Sequence, residues 1–257
     1  MSALRLVMPR PLMAALALAA FGALASAQAP DKLPSARELM EKHDAAIGGR
    51  AALDKHTSMH QVGTLAIAAM SVDAPMDVYK AKPGKFLQKI VVQGTVEVST
   101  GFDGKTAWAI QPGQGPIILD GAMADQVKYN ADFFASFHDM SRYKSAETVG
   151  LVDFEGRKCY KVKIERAQGG EGVEYFDAAT GLQAGSQSTI DGGPMGKIDQ
   201  TTVFSDYQDF GGLKGPTKIV QRGGPYEVAI NIKSVEFDTV PATMFDLPDA
   251  VKAIVKP

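Results

Sequence analysis

The chain contains four histidines and one cysteine, the residue types that most often perform acid–base, metal or nucleophilic chemistry. His56 and His60 have the i, i+4 spacing of a helical metal pair, but they straddle the point where a helical pattern gives way to a strand pattern. Helix packing or a solvated position is therefore predicted for both, and no metal site is expected. His43 lies on the apolar side of a predicted helix, which indicates a partnered core histidine.

Local catalytic motifs do not occur in the sequence. HExxH, GxSxG, P-loop and CxxC patterns are all missing, and the glycines at 169–172 lie between predicted strands, without the helix that a phosphate cradle needs. Cys159 alternates with apolar residues as in a half-buried strand, and no second cysteine can pair with it. We predict a protein that is not an enzyme and needs no cofactor. A hydrolase that uses His43 or His138 is the least favoured alternative.

The first 27 residues predict an export signal. Arg5 and Arg10 supply a basic leader, residues 12–24 form an apolar run, and Ala25-Ser26-Ala27 has the small-x-small pattern of a cleavage site. We therefore expect cleavage after Ala27 and a soluble periplasmic protein whose residues 28–257 form a single domain. No later segment approaches the about 20 apolar residues of a spanning helix.

The charge of the chain is nearly balanced. With 27 Lys plus Arg against 29 Asp plus Glu, the formal net charge is −2. Nucleic acid is therefore not an expected partner, because no basic stripe is present to follow a phosphate backbone.

The leader is followed by the pattern of an amphipathic helix. Ser35 and Glu38 have the spacing of a capping box, and Gly48-Gly49 supplies a stop signal. A helix over 35–47 with one face against the core is predicted. The residues at helical spacing on that face are Ala36, Leu39, Met40, His43 and Ile47.

After this helix the apolar period changes to two, which predicts strands. A hairpin over 96–111 shows the pattern well: Val98 and its i+2 neighbours share one parity, Asp103-Gly104 supplies the reversal, and Trp108 lies on the return strand. Similar hairpins continue to Phe237 with short Gly-bearing links, which favour a meander. We predict a mainly β, α+β fold in which about eleven antiparallel strands curl into an unclosed half-barrel, since open sheets of this size rarely stay flat.

The strand pattern is interrupted between residues 120 and 140. This stretch shows no alternation, and one or two short helices are predicted here. The sheet face is the surface available to cover their apolar side chains. These side chains are Met123, Val127, Phe133, Phe134 and Phe137.

Five phrases, taken in order, resemble a known family. They are a helix ending in Gly48-Gly49, the hairpin 101–108, Tyr175-Phe176-Asp177 leading into Thr180-Gly181-Leu182, the run 204–216, and a last strand before Phe245-Asp246-Leu247-Pro248. Behind a signal peptide, this order is similar to that of the LolA-like proteins, the outer-membrane lipoprotein-sorting and LppX-like group of periplasmic lipid carriers. The resemblance covers nearly all of the mature chain.

The resemblance implies both a fold and a function. The fold would be an unclosed barrel with helices as a lid over an apolar cavity. The function would be that of a periplasmic carrier of lipid or lipoprotein acyl chains, which membrane-bound donor and acceptor proteins would load and unload. The arginine that latches the lid in the family has no assignable counterpart in this sequence. An envelope sensor or protein-interaction module on the same fold is the alternative.

Strand parity and helix faces indicate which residues would line such a cavity. The same residues would form an ordinary packed core if no cavity exists, because parity predicts a shared face and not an empty space. The candidate ligand-contacting residues are Met40, Ile47, Met76, Val78, Phe86, Ile90, Val98, Trp108, Phe133, Phe137, Tyr160, Val162, Ile164, Val228, Ile230 and Ile232.

Overall fold

A large antiparallel sheet dominates the computed structural model of the protein. The structure describes residues 32–94, 96–167, 169–191, 196–223 and 226–255. The predicted signal peptide, residues 1–27, lies outside these ranges. From Leu33 onward the chain clusters into one compact unit, and the domain limits of 28 and 257 stay a prediction.

The described residues form thirteen strands in one sheet. Their bounds are β1 Ser58–Ile67, β2 Val72–Ala81, β3 Lys85–Val92, β4 Val96–Phe102, β5 Ala107–Gln111, β6 Gly115–Ile118, β7 Tyr143–Phe154, β8 Arg157–Arg166, β9 Glu171–Asp177, β10 Gln183–Asp191, β11 Lys197–Asp209, β12 Lys214–Gly223 and β13 Tyr226–Phe237. The predicted mainly β fold is confirmed, with somewhat more strands than expected. Strand β6 was not predicted, because it has only four residues and contains Pro116, which a sheet edge tolerates.

The chain builds this sheet as two meanders that meet in the middle. The strand order is β6-β5-β4-β3-β2-β1-β13-β12-β11-β10-β9-β8-β7, so the first strand pairs with the last. Strands β6 and β7 are the outer edges, and they do not pair with each other within the part of the chain that the structure describes. The sheet is therefore an unclosed half-barrel, and residues 119–142 cross from one edge to the other.

Four α-helices lie in the described ranges: α1 Ala36–Ala46, α2 Arg50–Asp54, α3 Gly121–Ala131 and α4 Asp249–Lys252. Helix α1 begins with the predicted capping box: Ser35 Oγ accepts a hydrogen bond from the Glu38 N–H at 3.2 Å, and Glu38 Oε2 accepts one from the Ser35 N–H at 2.7 Å. Gly48 follows with a φ of 109°, a left-handed conformation that favours glycine. None of the described helices is long and apolar enough to cross a membrane.

The two longer helices cover opposite ends of one sheet face. Helix α3 packs on β3, β4 and β5, and α1 packs on the strands at the β7 edge. Between the two helices, the crossing segment packs against residues of the central strands β1, β11 and β13. The buried sheet residues are Met76, Val78, Phe86 and Ile232 under α3, and Val162, Ile164 and Phe176 under α1.

The indole of Trp108 faces away from this covered side, which corrects its predicted place in a cavity lining. Trp108 pairs with Gly101, whereas Phe102, which packs on the covered side, pairs with Ala107. The hairpin register therefore places the indole on the opposite face, where it packs with Val251 of α4. Gly101 makes room for the ring, because a Cβ there would lie 2.5 Å from the nearest indole atom.

A β-bulge in β13 shifts the side-chain parity along that strand. The register between β1 and β13 changes between Val62 and Gly63, so that β13 carries one extra residue. Val235 and Phe237 consequently lie on the same covered face as Ile232, although their sequence parity differs. The bulge keeps both halves of the strand apolar on the side of the helices.

We expect Gly101→Ala to destabilise the protein by about 1–3 kcal/mol, the usual cost of overpacking a filled site. The added methyl group would displace the Trp108 indole from its position beside α4. Urea unfolding followed by tryptophan fluorescence measures the change, because the sequence contains a single tryptophan. Gly150→Ala is the matched control, since a Cβ at Gly150 meets no atom within 4 Å. Equal destabilisation by the two variants would contradict the steric explanation.

Candidate functional site

A cavity of about 420 Å³ lies between the central strands and the segments that cover them. Its wall is formed by the end of α1, by α2, by the end of α3 and by strands β1, β2 and β8–β13. Most of the side chains on the wall are apolar. The large apolar ones are Ile47, Leu53, Met59, Phe133, Phe137, Phe204, Phe210, Leu213, Ile219, Val235 and Phe237.

We call residues 132–139 the strap, because they lead the chain across the central strands from α3 toward β7. Phe133 and Phe137 of the strap are buried against Ile47 of the α1 end and Leu213. At its start, the Asp132 carboxylate forms an ion pair with the Arg142 guanidinium. Apart from hydrogen bonds within local turns, the strap is held in place by side-chain contacts and not by strand pairing.

Three side chains tie the end of the strap to α1 and to the sheet, and we call Asp44, His138 and Glu174 the latch. Asp44, in the last turn of α1, accepts hydrogen bonds from the His138 backbone N–H at 3.1 Å and from the His138 ring Nδ1 at 2.8 Å. The other ring nitrogen, Nε2, lies 3.3 Å from Oε2 of Glu174 on β9. That contact is an ion pair whose geometry does not make a hydrogen bond, so Glu174 Oε2 has no hydrogen-bond partner among the described residues.

The latch holds a positive charge on His138. Burial opposes protonation of this ring, but the carboxylates of Asp44 and Glu174 outweigh burial and raise the pKa of His138 to about 9. His43 behaves in the opposite way, although its ring centroid lies only 5.3 Å from that of His138. Burial first and the His138 charge second lower the pKa of His43 to about 4. Neutral His43 accepts a hydrogen bond at Nδ1 from the Gln183 N–H at 3.0 Å, the partnered core role that was predicted.

The latch is also where side chains that can bind metal ions converge. Ligand atoms of His43, Asp44 and His138 lie within 4.8 Å of one another. Both ring nitrogens of His138 already face carboxylates, and His43 Nδ1 accepts a hydrogen bond from a backbone N–H. These three ring nitrogens are therefore engaged in contacts within the protein. No hydroxyl or thiol of a described residue hydrogen-bonds either ring.

Three cationic side chains line the same cavity: Lys80 on β2, Arg166 on β8 and Lys214 at the start of β12. None of these side chains forms an ion pair or a hydrogen bond with another residue in the described ranges. Burial lowers the pKa of Lys80 to about 8, with the charge of Asp132 opposing it. The cavity therefore combines apolar walls with positive charge.

Solved structures of other proteins share this architecture. A DUF1329 family protein from Desulfovibrio piger has a TM-score of 0.56 and 11% identity, over 82% of this chain and 97% of the other. A LolA superfamily protein from Nitrosomonas europaea has a TM-score of 0.56 and 11% identity, over 84% and 99% of the two chains. The fold is LolA-like. This confirms the fold that the sequence resemblance implied.

A third solved structure supports the LolA-like assignment. It is a domain from Vibrio parahaemolyticus named for outer-membrane lipoprotein sorting, with a TM-score of 0.51 and 10% identity over 79% of this chain and 92% of the other. No family model matches the sequence, and no curated protein matches it. At these identities the likeness is one of fold.

The cavity brings together only part of the predicted lining. Ile47, Phe133 and Phe137 lie on its wall. The other candidates on the covered face lie beside it. They are Met76, Val78, Phe86, Ile90, Ile230 and Ile232 in the cluster under α3, Met40, Tyr160, Val162 and Ile164 in the cluster under α1, and the half-buried Val98 and Val228. Contact of any of these residues with a ligand stays a prediction.

The sequence analysis did not place Lys80 and Arg166 on the wall. Lys80 has the parity of Met76 and Val78, so the strand pattern placed it on the correct face, and only its charge excluded it from an apolar list. Arg166 likewise continues the parity of Ile164. A search for charged residues at core parity would have found both.

The remaining histidines and the cysteine lie away from the cavity wall. His56 Nδ1 lies 2.7 Å from Asp238, and His60 Nε2 lies 2.7 Å from Asp77, so each ring has its own carboxylate partner and the two do not share a site. The Cys159 thiol on β8 is fully buried, and burial raises its pKa to about 11. It is a structural thiol, as predicted.

The latch predicts a specific dependence of stability on pH. The pKa of His138 is about 9 in the folded protein and ordinarily 6.5, so its stabilising charge is fully present below pH 6.5 and is lost as the pH rises through 9. We expect His138→Gln to be less stable than the wild type by about 3 kcal/mol at pH 6, because one partner of a buried ion pair is removed. This difference should narrow between pH 6.5 and 9 in urea unfolding.

The wild type serves as the control for His138→Gln at each pH. Lys80 titrates near pH 8 in both of them, so its contribution cancels in the difference. A difference in unfolding free energy that stays constant from pH 6 to pH 9.5 would show that the charge of His138 does not stabilise the fold.

Proposed function

We propose that this protein binds an acyl chain in its central cavity and carries it through the cell envelope. The observation that supports this most is the mainly apolar cavity of about 420 Å³ beneath the strap. Pockets for small ligands commonly enclose about 300–1,000 Å³ and have mainly apolar walls. The likeness to a LolA superfamily protein and to a lipoprotein-sorting domain supports the proposal through the fold.

The size of the cavity favours one acyl chain. At about 30 Å³ for a water-sized group, it accommodates on the order of a dozen methylene-sized groups. Burial gains about 0.8 kcal/mol per CH₂, so a chain of this length gains on the order of 10 kcal/mol. That gain is enough to keep a lipid out of water. A cargo with several acyl chains would need a wider cavity, which movement of the strap would have to create.

Loading and release would require the strap to shift. Phe133 and Phe137 would leave their positions against α1 and β12, and the contacts of His138 with Asp44 and Glu174 would break. The mechanism is physical shielding of an apolar chain and involves no chemical step. Export by residues 1–27 would place the mature protein, residues 28–257, in the periplasm between membrane-bound donor and acceptor proteins.

We expect Val235→Trp to weaken binding of a fatty acid at least about tenfold, which corresponds to the loss of a few buried methylene contacts. Val235 lies within β13 and lines the cavity, so an indole there would occupy the ligand's space and leave strand pairing intact. Titration with the fluorescent fatty acid cis-parinarate measures the affinity.

Val149→Trp is the control, because Val149 is exposed on β7, outside the cavity wall. It should bind parinarate as the wild type does. Native mass spectrometry of protein expressed in the periplasm provides a second measurement. The absence of both co-purified lipid and parinarate binding would overturn the proposed function. Capture of a regulator protein in place of lipid under crosslinking would favour the sensor alternative.

The latch should control how fast the ligand leaves. Asp44→Asn keeps the shape of the side chain and removes the charge that faces His138, so we expect release of parinarate to be about tenfold faster. Stopped-flow mixing of the loaded protein with excess unlabelled palmitate measures the rate. Asp153→Asn, at an exposed ion pair with Lys158, is the control. Equal release rates for Asp44→Asn and the wild type would show that the latch does not gate the cavity.

A further inference from the structure

Lys80 is the feature of the cavity that a purely apolar ligand leaves unexplained. It belongs to a row of cross-strand neighbours whose other members are apolar, namely Phe86, Met59 and Phe237. An ammonium group in such surroundings loses much of its hydration, which costs several kcal/mol unless a partner compensates. Lys80 is half-buried at this position.

The described residues do not provide that partner. Lys80 forms no ion pair and no hydrogen bond with them through its side chain. The carboxylate whose charge reaches it, Asp132, is already paired with Arg142. Burial lowers the pKa of Lys80 only to about 8, so the side chain stays mainly protonated at neutral pH. The protein thus presents a positive charge to the cavity and does not neutralise it.

We propose that Lys80 is an anion anchor: its ammonium group binds the carboxylate or phosphate head group of a single-chain lipid whose tail lies along the apolar wall. The inference rests on the proposed function and adds the chemical class of the ligand. An anionic amphiphile matches both properties of the cavity, since its chain contacts the phenylalanines and its head group pairs with the lysine. A neutral lipid of the same length would leave the ammonium group desolvated and unpaired.

Lys214 is exposed, and Arg166 is also a weaker candidate for this role. It shares its part of the wall with Tyr129, which is 57% exposed, so this end of the cavity meets solvent. The carboxylate of Glu174 lines the cavity as well, and it would repel an anionic head group placed near it. A hydrated cation also gains less from an ion pair than a buried one. Lys80 has the apolar cross-strand neighbours Phe86 and Met59.

The test compares two ligands that differ only in the charge of the head group, cis-parinarate and its methyl ester, titrated by fluorescence at pH 7. We expect the wild type to prefer the acid. Lys80→Met should bind the acid about ten- to a hundredfold more weakly, the usual value of a charged hydrogen bond, and should bind the ester unchanged. Lys80→Arg should keep most of the preference, because a guanidinium group also binds anions.

Two further variants serve as controls. Lys218→Met removes an exposed lysine of β12 outside the cavity and should leave both affinities unchanged. Arg166→Met removes another cation of the wall and should leave the preference for the acid in place. Competition by palmitate and by 1-palmitoyl-lysophosphatidate then identifies the head group as a carboxylate or a phosphate.

Several outcomes would overturn the inference while the proposed function stands. One is that Lys80→Met binds the acid and the ester more weakly by the same factor, which would mean that the lysine only packs against the ligand and does not pair with its head group. Others are a preference for the acid that disappears only in Arg166→Met, and displacement of parinarate by neither competitor. If the wild type binds neither parinarate nor its ester, the proposed function fails as well, and the two failures are thereby distinguished.

Discussion

The pairing of β1 with β13 is the constraint on which the rest of the structure depends. Because the first and last strands meet in the middle of the sheet, the chain must pass from one edge to the other halfway along its length, and residues 119–142 make that passage. Helices α3 and α1 cover the two ends of the sheet face, and the strap packs above the centre. A hollow between curled strands and a covering of irregular chain follows from this topology.

Three titratable side chains of the interior differ in how their protonation is controlled. His138 is held protonated because two carboxylates face it, and His43 beside it is held neutral by burial and by the His138 charge. Burial lowers the pKa of Lys80 to about 8, with the charge of Asp132 opposing it. The charge of His138 is therefore neutralised within the protein and connects the strap to α1 and β9. The charge of Lys80 is directed at the cavity.

Local chemistry made much of the fold predictable from sequence. The turn at Asp103-Gly104 is an example, since the Asp103 side chain accepts hydrogen bonds from the Lys105 and Thr106 N–H groups at 2.8 and 2.7 Å. Features that depend on a strand's partner were not predictable: the bulge in β13 exists only in its pairing with β1, so the parity of Val235 could not be inferred. The latch was not predictable for the same reason. His138 contacts the carboxylate of Asp44, 94 residues away in the sequence, and the carboxylate of Glu174 on β9. The lysine at position 80 was overlooked because hydrophobic pattern alone was used to define the wall.

The burial of Cys159 makes this protein convenient for site-specific labelling. Its thiol is inaccessible and has a pKa of about 11, so very little of it is present as the reactive thiolate near neutral pH. The chain has no other cysteine. Ser136 is exposed at the middle of the strap, and Ser136→Cys would create the one thiol that maleimide reagents can reach. A spin label or fluorophore attached there would follow the strap in real time in an otherwise unmodified protein.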